Sequence, residues 1–504
     1  MNEKAQADIQ ALAKGGRTNF LGFLLRLAGT APFLFIAGRF YGVEALGRYA
    51  SALVVVELAS QLCALGQRRG LAQRLAEDDR EPANVVADGL LLTLLMALGV
   101  ASLLWLFPAP MFPSGEYSQF DRLLPLAILP NALTEIALSA LAYRYDVATT
   151  VRARSVVEPW TQVLSSVAFL FLVPEAGLAL SYLLAKTAAA AVAFVPLLRT
   201  HGLPRDWQPH PLRLGRLALV SGPLAVADLV EWGSRRMDIA LLGFFSTPTA
   251  VGVYYAAQQV ASLPQKLKTS FEPVLGPVIT RNLREQNYAA IAQQVCQVGF
   301  WITAAQAGIA LALAIPGEGV MGLVGPAFVG GTAALSFLLA AEVVAATAVV
   351  SEAALIYVQR MQNLWVSLLT ISLQAVLTVA LVLLVRDAPS WNLPGGLHFP
   401  ADRVEFYQAG AVALALMLSF AMASLVKARL LARFLGQPIN NWRWPLVWAA
   451  APAVLVGWVV TTYLPEWAEL ALGIPAILGV YGWVIWHRGF GPEDRVLFRK
   501  NVGA

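Results

Sequence analysis

The chain has 504 residues, of which 58% are hydrophobic and only 13% charged, with a mean hydropathy of +0.63; soluble domains carry about twice that charged fraction. A helix that crosses a bilayer uses about 20 apolar residues, so about 14 crossings leave room for loops and tails but for no large water-soluble domain. Cys63 and Cys296 fall in apolar runs, and His201, His210, His398 and His487 are scattered through loops or sit at a helix end. No disulfide framework, metal site or redox cofactor is therefore indicated, and the formal charge of +5 lies in short loops, which excludes a nucleic-acid partner.

In chain order, residues 1–17 form a polar segment. The apolar run that follows is too long for the core of a signal peptide and lacks a small-residue cleavage site, so the first helix is expected to remain in the protein. Predicted spans are Thr18–Phe40, Ala45–Leu65, Val85–Phe107, Asp121–Ala142, Val156–Val173 and Leu178–Leu198, a first lobe over 18–198. A connector, 199–216, leads to Leu217–Phe244, Ala250–Ile279, Ala289–Ala314, Thr332–Tyr357, Leu364–Val385 and Phe406–Val426, a second lobe over 217–426. A basic linker, 427–444, precedes two trailing spans within 445–487, Pro445–Tyr463 and Leu470–His487, and a tail, 488–504. The predicted class is an all-α polytopic membrane protein with about 14 transmembrane helices.

Alternate loops carry Arg68, Arg69, Arg74 and Arg80, then Arg144, Arg152 and Arg154, then Arg199, Arg205, Arg213 and Arg216, and so on to Arg495, Arg499 and Lys500. The opposite loops are nearly bare. This asymmetry predicts that both termini face the cytoplasm. Trp105, Trp160, Trp391, Trp442, Trp444, Trp467 and Trp486 fall near the predicted interfaces, where aromatic side chains anchor a membrane protein.

Sliding the chain over itself by 205 positions pairs Gly38 with Gly243, Phe40 with Phe245, Ala45 with Ala250, Gly47 with Gly252, Tyr49 with Tyr254, Ala52 with Ala257, Val55 with Val260 and Leu58 with Leu263, without a gap. The hairpin between helices 1 and 2 thus recurs between helices 7 and 8. Six spans separate the copies, so the lobes should be parallel repeats related by an axis along the membrane normal.

Ionisable residues in a span are costly and normally face a partner or a wet cavity. Arg26 and Glu57 lie near mid-depth of helices 1 and 2 and could face each other, while Glu135, Lys186 and Glu342 stand isolated on their own helices. Asp228, Glu231, Arg235 and Asp238 follow spacings of three, four and three, one helical stripe, with Arg236 beside it. Lys266, Lys268 and Glu272 follow Pro264 in helix 8, where a bend is expected. The basic members Arg26, Arg235, Arg236, Lys266 and Lys268 are the candidate substrate-binding residues. The acids Glu57, Asp228, Glu231, Asp238, Glu272 and Glu342 are candidates for ion coupling or for internal salt bridges, between which the charge balance does not choose. No Walker loop, dinucleotide fingerprint or nucleophile triad occurs, and the longest outer loop, Arg386 to Glu405, cannot form a domain of its own, so no catalytic residues are assigned.

The hairpin Gly38-Arg39-Phe40-Tyr41-Gly42-Val43-Glu44-Ala45-Leu46-Gly47-Arg48-Tyr49, its second copy Ala250-Val251-Gly252-Val253-Tyr254, and the paired lobes with two trailing helices resemble the polysaccharide transporter and O-antigen flippase family of the multidrug/oligosaccharidyl-lipid/polysaccharide flippase superfamily. The resemblance implies a bacterial inner-membrane protein that carries an undecaprenyl-diphosphate-linked oligosaccharide, such as an O-antigen or exopolysaccharide repeat unit, to the outer leaflet by rocking its lobes. It implies a polar cavity at the join of the lobes, with basic side chains for the diphosphate while the prenyl tail stays in membrane lipid. Polymerase and glycosyltransferase machinery would then be its neighbours. A cation-coupled multidrug exporter and a lipid II flippase of the same superfamily, or a non-transporting scaffold, remain open alternatives.

Overall fold

The computed structural model describes residues 25–26, 28–144, 146–269, 279–390, 400–491 and 494; the side chains of 69, 227, 230, 231, 234, 235, 265–269 and 390 lie outside that description. By contacts the chain divides into two compact units, Met1–Gly252 and Val253–Ala504.

In the first unit, helix α1 (28–41) ends in a π-helical turn, Ala37–Tyr41. Gly42 follows at φ +91°, a conformation that only glycine adopts without strain, and α2 (Val43–Cys63) begins. The short helix α3 (Gln67–Glu77) leads to α4 (Pro82–Leu106), then come α5 (Asp121–Tyr143), α6 (Val147–Leu172), α7 (Pro174–His201) and α8 (Pro211–Phe245). α7 is the central element, packed on both α5 and α6, while α2 packs on α8. The core beneath α3 and α4 joins Leu71, Val85, Ile136, Leu141 and Leu197, all buried.

The predicted fifth span starts earlier than expected. Asp146 caps the helix by accepting hydrogen bonds from the Thr149 backbone N–H at 3.0 Å and the Thr149 hydroxyl at 2.6 Å. Arg152 and Arg154, expected in a loop, are therefore helical. The turn Arg152–Val157 is π-helical, which is how a continuous helix accommodates Pro159, whose ring excludes the carbonyl of residue i−4 and which has no N–H to donate.

The second unit contains most of α9 (Pro248–Thr269), then α10 (Tyr288–Ala314), the short α11 (Gly317–Val324), α12 (Pro326–Val358), α13 (Arg360–Arg386), α14 (Ala401–Leu435), α15 (Pro445–Tyr463) and α16 (Glu466–Gly489). α14 packs along α12 and α13, and α10 along α12. The pair α15 and α16 packs on α10 through Phe300, Ala304, Ala449, Ala453, Ile477 and Tyr481. α13 buries the polar side chains Asn363, Thr370, Gln374 and Thr378 and exposes Leu364, Trp365, Leu369, Val376, Leu383 and Leu384.

Among the described residues, ten helices are long and apolar enough to span a membrane: α4 to α7, α10, and α12 to α16. The four remaining predicted spans coincide with α1, α2, α8 and α9. These carry intramembrane charges such as Glu57, Asp228, Arg236 and Asp238, or run into undescribed residues. The protein is an all-α polytopic membrane protein.

In the second unit Asp494 ties the segment after α16 to α10 and to the linker before α15. It accepts hydrogen bonds from Arg443 at 2.8 Å, the Trp301 indole at 2.8 Å, the Gly491 N–H at 2.9 Å and the Gln297 amide at 3.3 Å. Arg443 also lies over the Phe300 ring, 4.0 Å from its centroid. Burial opposes ionisation of Asp494, but these donors outweigh it and hold its pKa below the usual carboxylate value. The stabilisation is thus complete above the unfolded pKa of about 3.9 and is lost as pH falls through the lower folded value. Protease protection of this segment is expected to fail on acidification in the native chain, and Asp494→Asn to make its anchoring weaker at neutral pH and flat across that window.

Candidate functional site

α2 and α8 present ionisable groups to each other along the membrane-spanning part of the first unit. Arg236 Nε lies 3.7 Å from Glu57 Oε2, a loose pair in which each side chain is a little under 30% exposed (29% and 28%). Asp228, one helical stripe away, is buried and lies 3.5 Å from Arg68 at the start of α3. That approach depends on Gly66: a Cβ there would meet the Leu224 backbone carbon at 2.6 Å, so only glycine lets α3 rest against α8 beside Pro223. Asp238 is also buried, its Oδ1 accepting the Ile239 N–H at 2.9 Å.

Arg26, N-terminal to α1, is exposed, and Glu57, expected to be its partner, pairs with Arg236 instead. Glu342 is buried in α12 of the second unit. The side chains of Arg235, Glu231, Lys266 and Lys268, and Glu272 altogether, lie outside the described residues.

A second charged centre escaped the sequence reading. Arg154 donates to Asn131 Oδ1 and Glu158 Oε2, both at 2.9 Å, and to Glu135 Oε1. Lys186 donates to Glu158 Oε1 at 2.7 Å and lies 5.1 Å from the Tyr182 ring centroid. Tyr182 meets Tyr49 edge to face at 5.8 Å, and the Tyr49 hydroxyl accepts from Gln162 at 2.8 Å. Glu135 and Lys186, isolated on their helices, are thus joined by Arg154 and Glu158 from α6. By a rise of about 1.5 Å per residue, Glu158 lies roughly 16 Å into its helix. Two acids and two bases neutralise one another, which suits a dry site. The detectable signal was the i, i+4 pair Arg154 and Glu158 beside a proline.

At the arginine-rich end, Asp88 of α4, only 1% exposed, collects Arg80 at 2.8 Å, Arg213 at 3.0 Å and the Trp207 indole N–H at 2.9 Å. Asn84 donates to the Arg205 carbonyl at 3.1 Å. The connector between α7 and α8 is thereby strapped to the start of α4. In the second unit, Lys427 donates to Glu352 at 2.8 Å and to Ser367 at 3.1 Å, tying α14 to α12 and α13.

Among the described residues of the first unit, the ionisable groups within apolar helices are gathered at a few facing positions. The chain belongs to the family described as polysaccharide biosynthesis protein, whose model matches residues 36–300. Its fold is shared with proteins of known structure. It is similar to an inward-facing multidrug resistance MATE family transporter of the MOP superfamily (14% identity, TM-score 0.64, 82% of this chain and 94% of that one). It is similar also to the lipid II flippase MurJ in an inward closed conformation (12% identity, TM-score 0.66, 97% and 100%), and to a MATE protein in complex with MaL6 (13% identity, TM-score 0.56, 84% and 96%). No curated protein sequence matches the chain.

Proposed function

We propose that the protein is a flippase that moves an undecaprenyl-diphosphate-linked oligosaccharide, an O-antigen or exopolysaccharide repeat unit, across the bacterial inner membrane by alternating access. The observation that carries this reading is the polysaccharide-biosynthesis family match over residues 36–300, laid on a fold shared with transporters. The physics supports it. A diphosphate entering a low-dielectric medium needs guanidinium or ammonium groups, and this reading assigns that role to the partly exposed Arg236 and the exposed Arg26. The mutually neutralised cluster around Arg154 is better suited to holding α5, α6 and α7 together. The arginine-rich loops support cytoplasmic termini, and polymerase and glycosyltransferase machinery are the expected neighbours.

Depletion of the protein is expected to leave lipid-linked saccharide in the inner leaflet. Replacing Arg236 or Arg26 by alanine, at normal protein levels, should slow export about tenfold or more, since a hydrogen bond to a charged group is worth about 1.5–3 kcal/mol. Unchanged export in both variants would remove these residues from the substrate path. Altered drug sensitivity without saccharide accumulation would favour the multidrug exporter, and accumulation of lipid II alone the lipid II flippase.

A further inference from the structure

Within the first unit, α2 crosses the first turn of α9 at two glycines that are copies of each other. A Cβ on Gly47 would lie 1.7 Å from the Pro248 carbonyl oxygen and 2.9 Å from the Gly252 nitrogen. One on Gly252 would lie 2.2 Å from the Val43 carbonyl oxygen and 3.1 Å from the Gly47 nitrogen. Val43 and Pro248 are separated by 205 positions, as are Gly47 and Gly252, the offset of the internal repeat. Each helix start therefore sets its opening carbonyl against the glycine one turn up the other. The contact is self-complementary, as two-fold contacts are.

The starts themselves are built alike: Leu46 N–H donates to Gly42 O at 3.1 Å, and its repeat mate Val251 to Thr247 O at 3.2 Å. Next to the crossing, Ser51 of α2 faces Gly243 of α8, whose Cβ would lie 3.2 Å from the serine oxygen. The crossing lies at the end of the unit opposite the arginine-rich loops, where 107–120 carries no lysine or arginine. There Arg48 holds Asp121 at 3.1 Å and also pairs with Glu44.

We infer that Gly47 and Gly252 form the seal that shuts the transport path at the arginine-poor end and that this crossing parts when the path opens there. The inference rests on the transport reading above. A barrier of this kind has to exclude water when shut and separate at small cost. Backbone against backbone meets the first demand, because no side chain is left to rearrange. Dispersion and Cα–H to carbonyl contacts meet the second, being individually weak. The cluster around Arg154, by contrast, is bound by four charges and is built to stay together.

The test uses the full-length chain in vesicles, with Cys63 and Cys296 replaced by alanine and Ser51→Cys as reporter for a membrane-impermeant maleimide. Gly47→Val, which forces the crossing apart, should raise the labelling rate about tenfold. Gly99→Val should not, because a Cβ at Gly99 meets nothing within 4 Å. Equal rates in a Gly47→Val protein as thermally stable as its parent would overturn the inference. A second variant guards against misfolding of the first. The Ser51 Cβ and a Cβ on Gly243 would be 3.8 Å apart, within disulfide reach, so oxidised Ser51→Cys/Gly243→Cys should stop transport and recover on reduction. Full cross-linking without loss of transport would also overturn it. Labelling does not depend on the cargo, so an accessibility response without saccharide movement would retain the seal and reject the flippase reading.

Discussion

Replacing Arg154 by alanine is expected to destabilise the protein by about 3–5 kcal/mol, the loss typical of removing one partner from a buried ion pair. The guanidinium satisfies Glu135, Glu158 and Asn131 together, and its removal leaves Glu135 without that cation and Glu158 with Lys186 alone. All four charged side chains are less than one-fifth exposed, so water replaces little of what is lost. Thermal unfolding in detergent measures the loss. Arg154→Met combined with Glu135→Gln should recover part of it by removing both members of one pair, a coupling that a double-mutant cycle reads directly. A loss below about 1 kcal/mol would mean that the cluster behaves like a solvated surface pair.

The second large effect is expected at Asp88. Asp88→Ala takes the acceptor from the Trp207 indole, from Arg213 and from one branch of Arg80, which keeps Asp78 at 2.6 Å. Both arginines are about one-third exposed and can turn to water, which limits the cost to about 2–3 kcal/mol. The consequence should be local. The connector between α7 and α8 is held mainly by Asp88 and by the Asn84 bond to the Arg205 carbonyl. Tryptic cleavage after the exposed Arg205 should therefore accelerate several-fold, at about the rate set by local opening. Unchanged cleavage would show that the strap is fastened elsewhere.

Much of the architecture was legible because a lipid environment imposes a simple code. Apolar runs marked α4 to α7 and α12 to α16, and the 205-residue offset located equivalent helix starts that the structure builds with the same hydrogen bond. The charged centre was less legible for a physical reason. Arginines near a span boundary read as loop residues, since that is where topology puts most of them. Arg154 instead continues inward on a helix capped by Asp146, where it meets α5 directly and α7 through Glu158. Sequence spacing shows which groups share one helix; it does not show how α5, α6 and α7 are turned toward one another. The partner of Glu57 was hidden likewise, because Arg236 lies far along the chain on α8.

The inverted character of α13 bears on how the protein is made. Its exposed side is mostly apolar between the terminal arginines, with Ser372 the polar exception in mid-helix, so it is hydrophobic enough to enter lipid by itself. Thr370, Gln374 and Thr378 then have no water to satisfy them. Packing against α14 buries that polar face inside the bundle. Apolar replacements along this buried polar face are therefore expected to alter how the helix joins its bundle while leaving membrane integration intact.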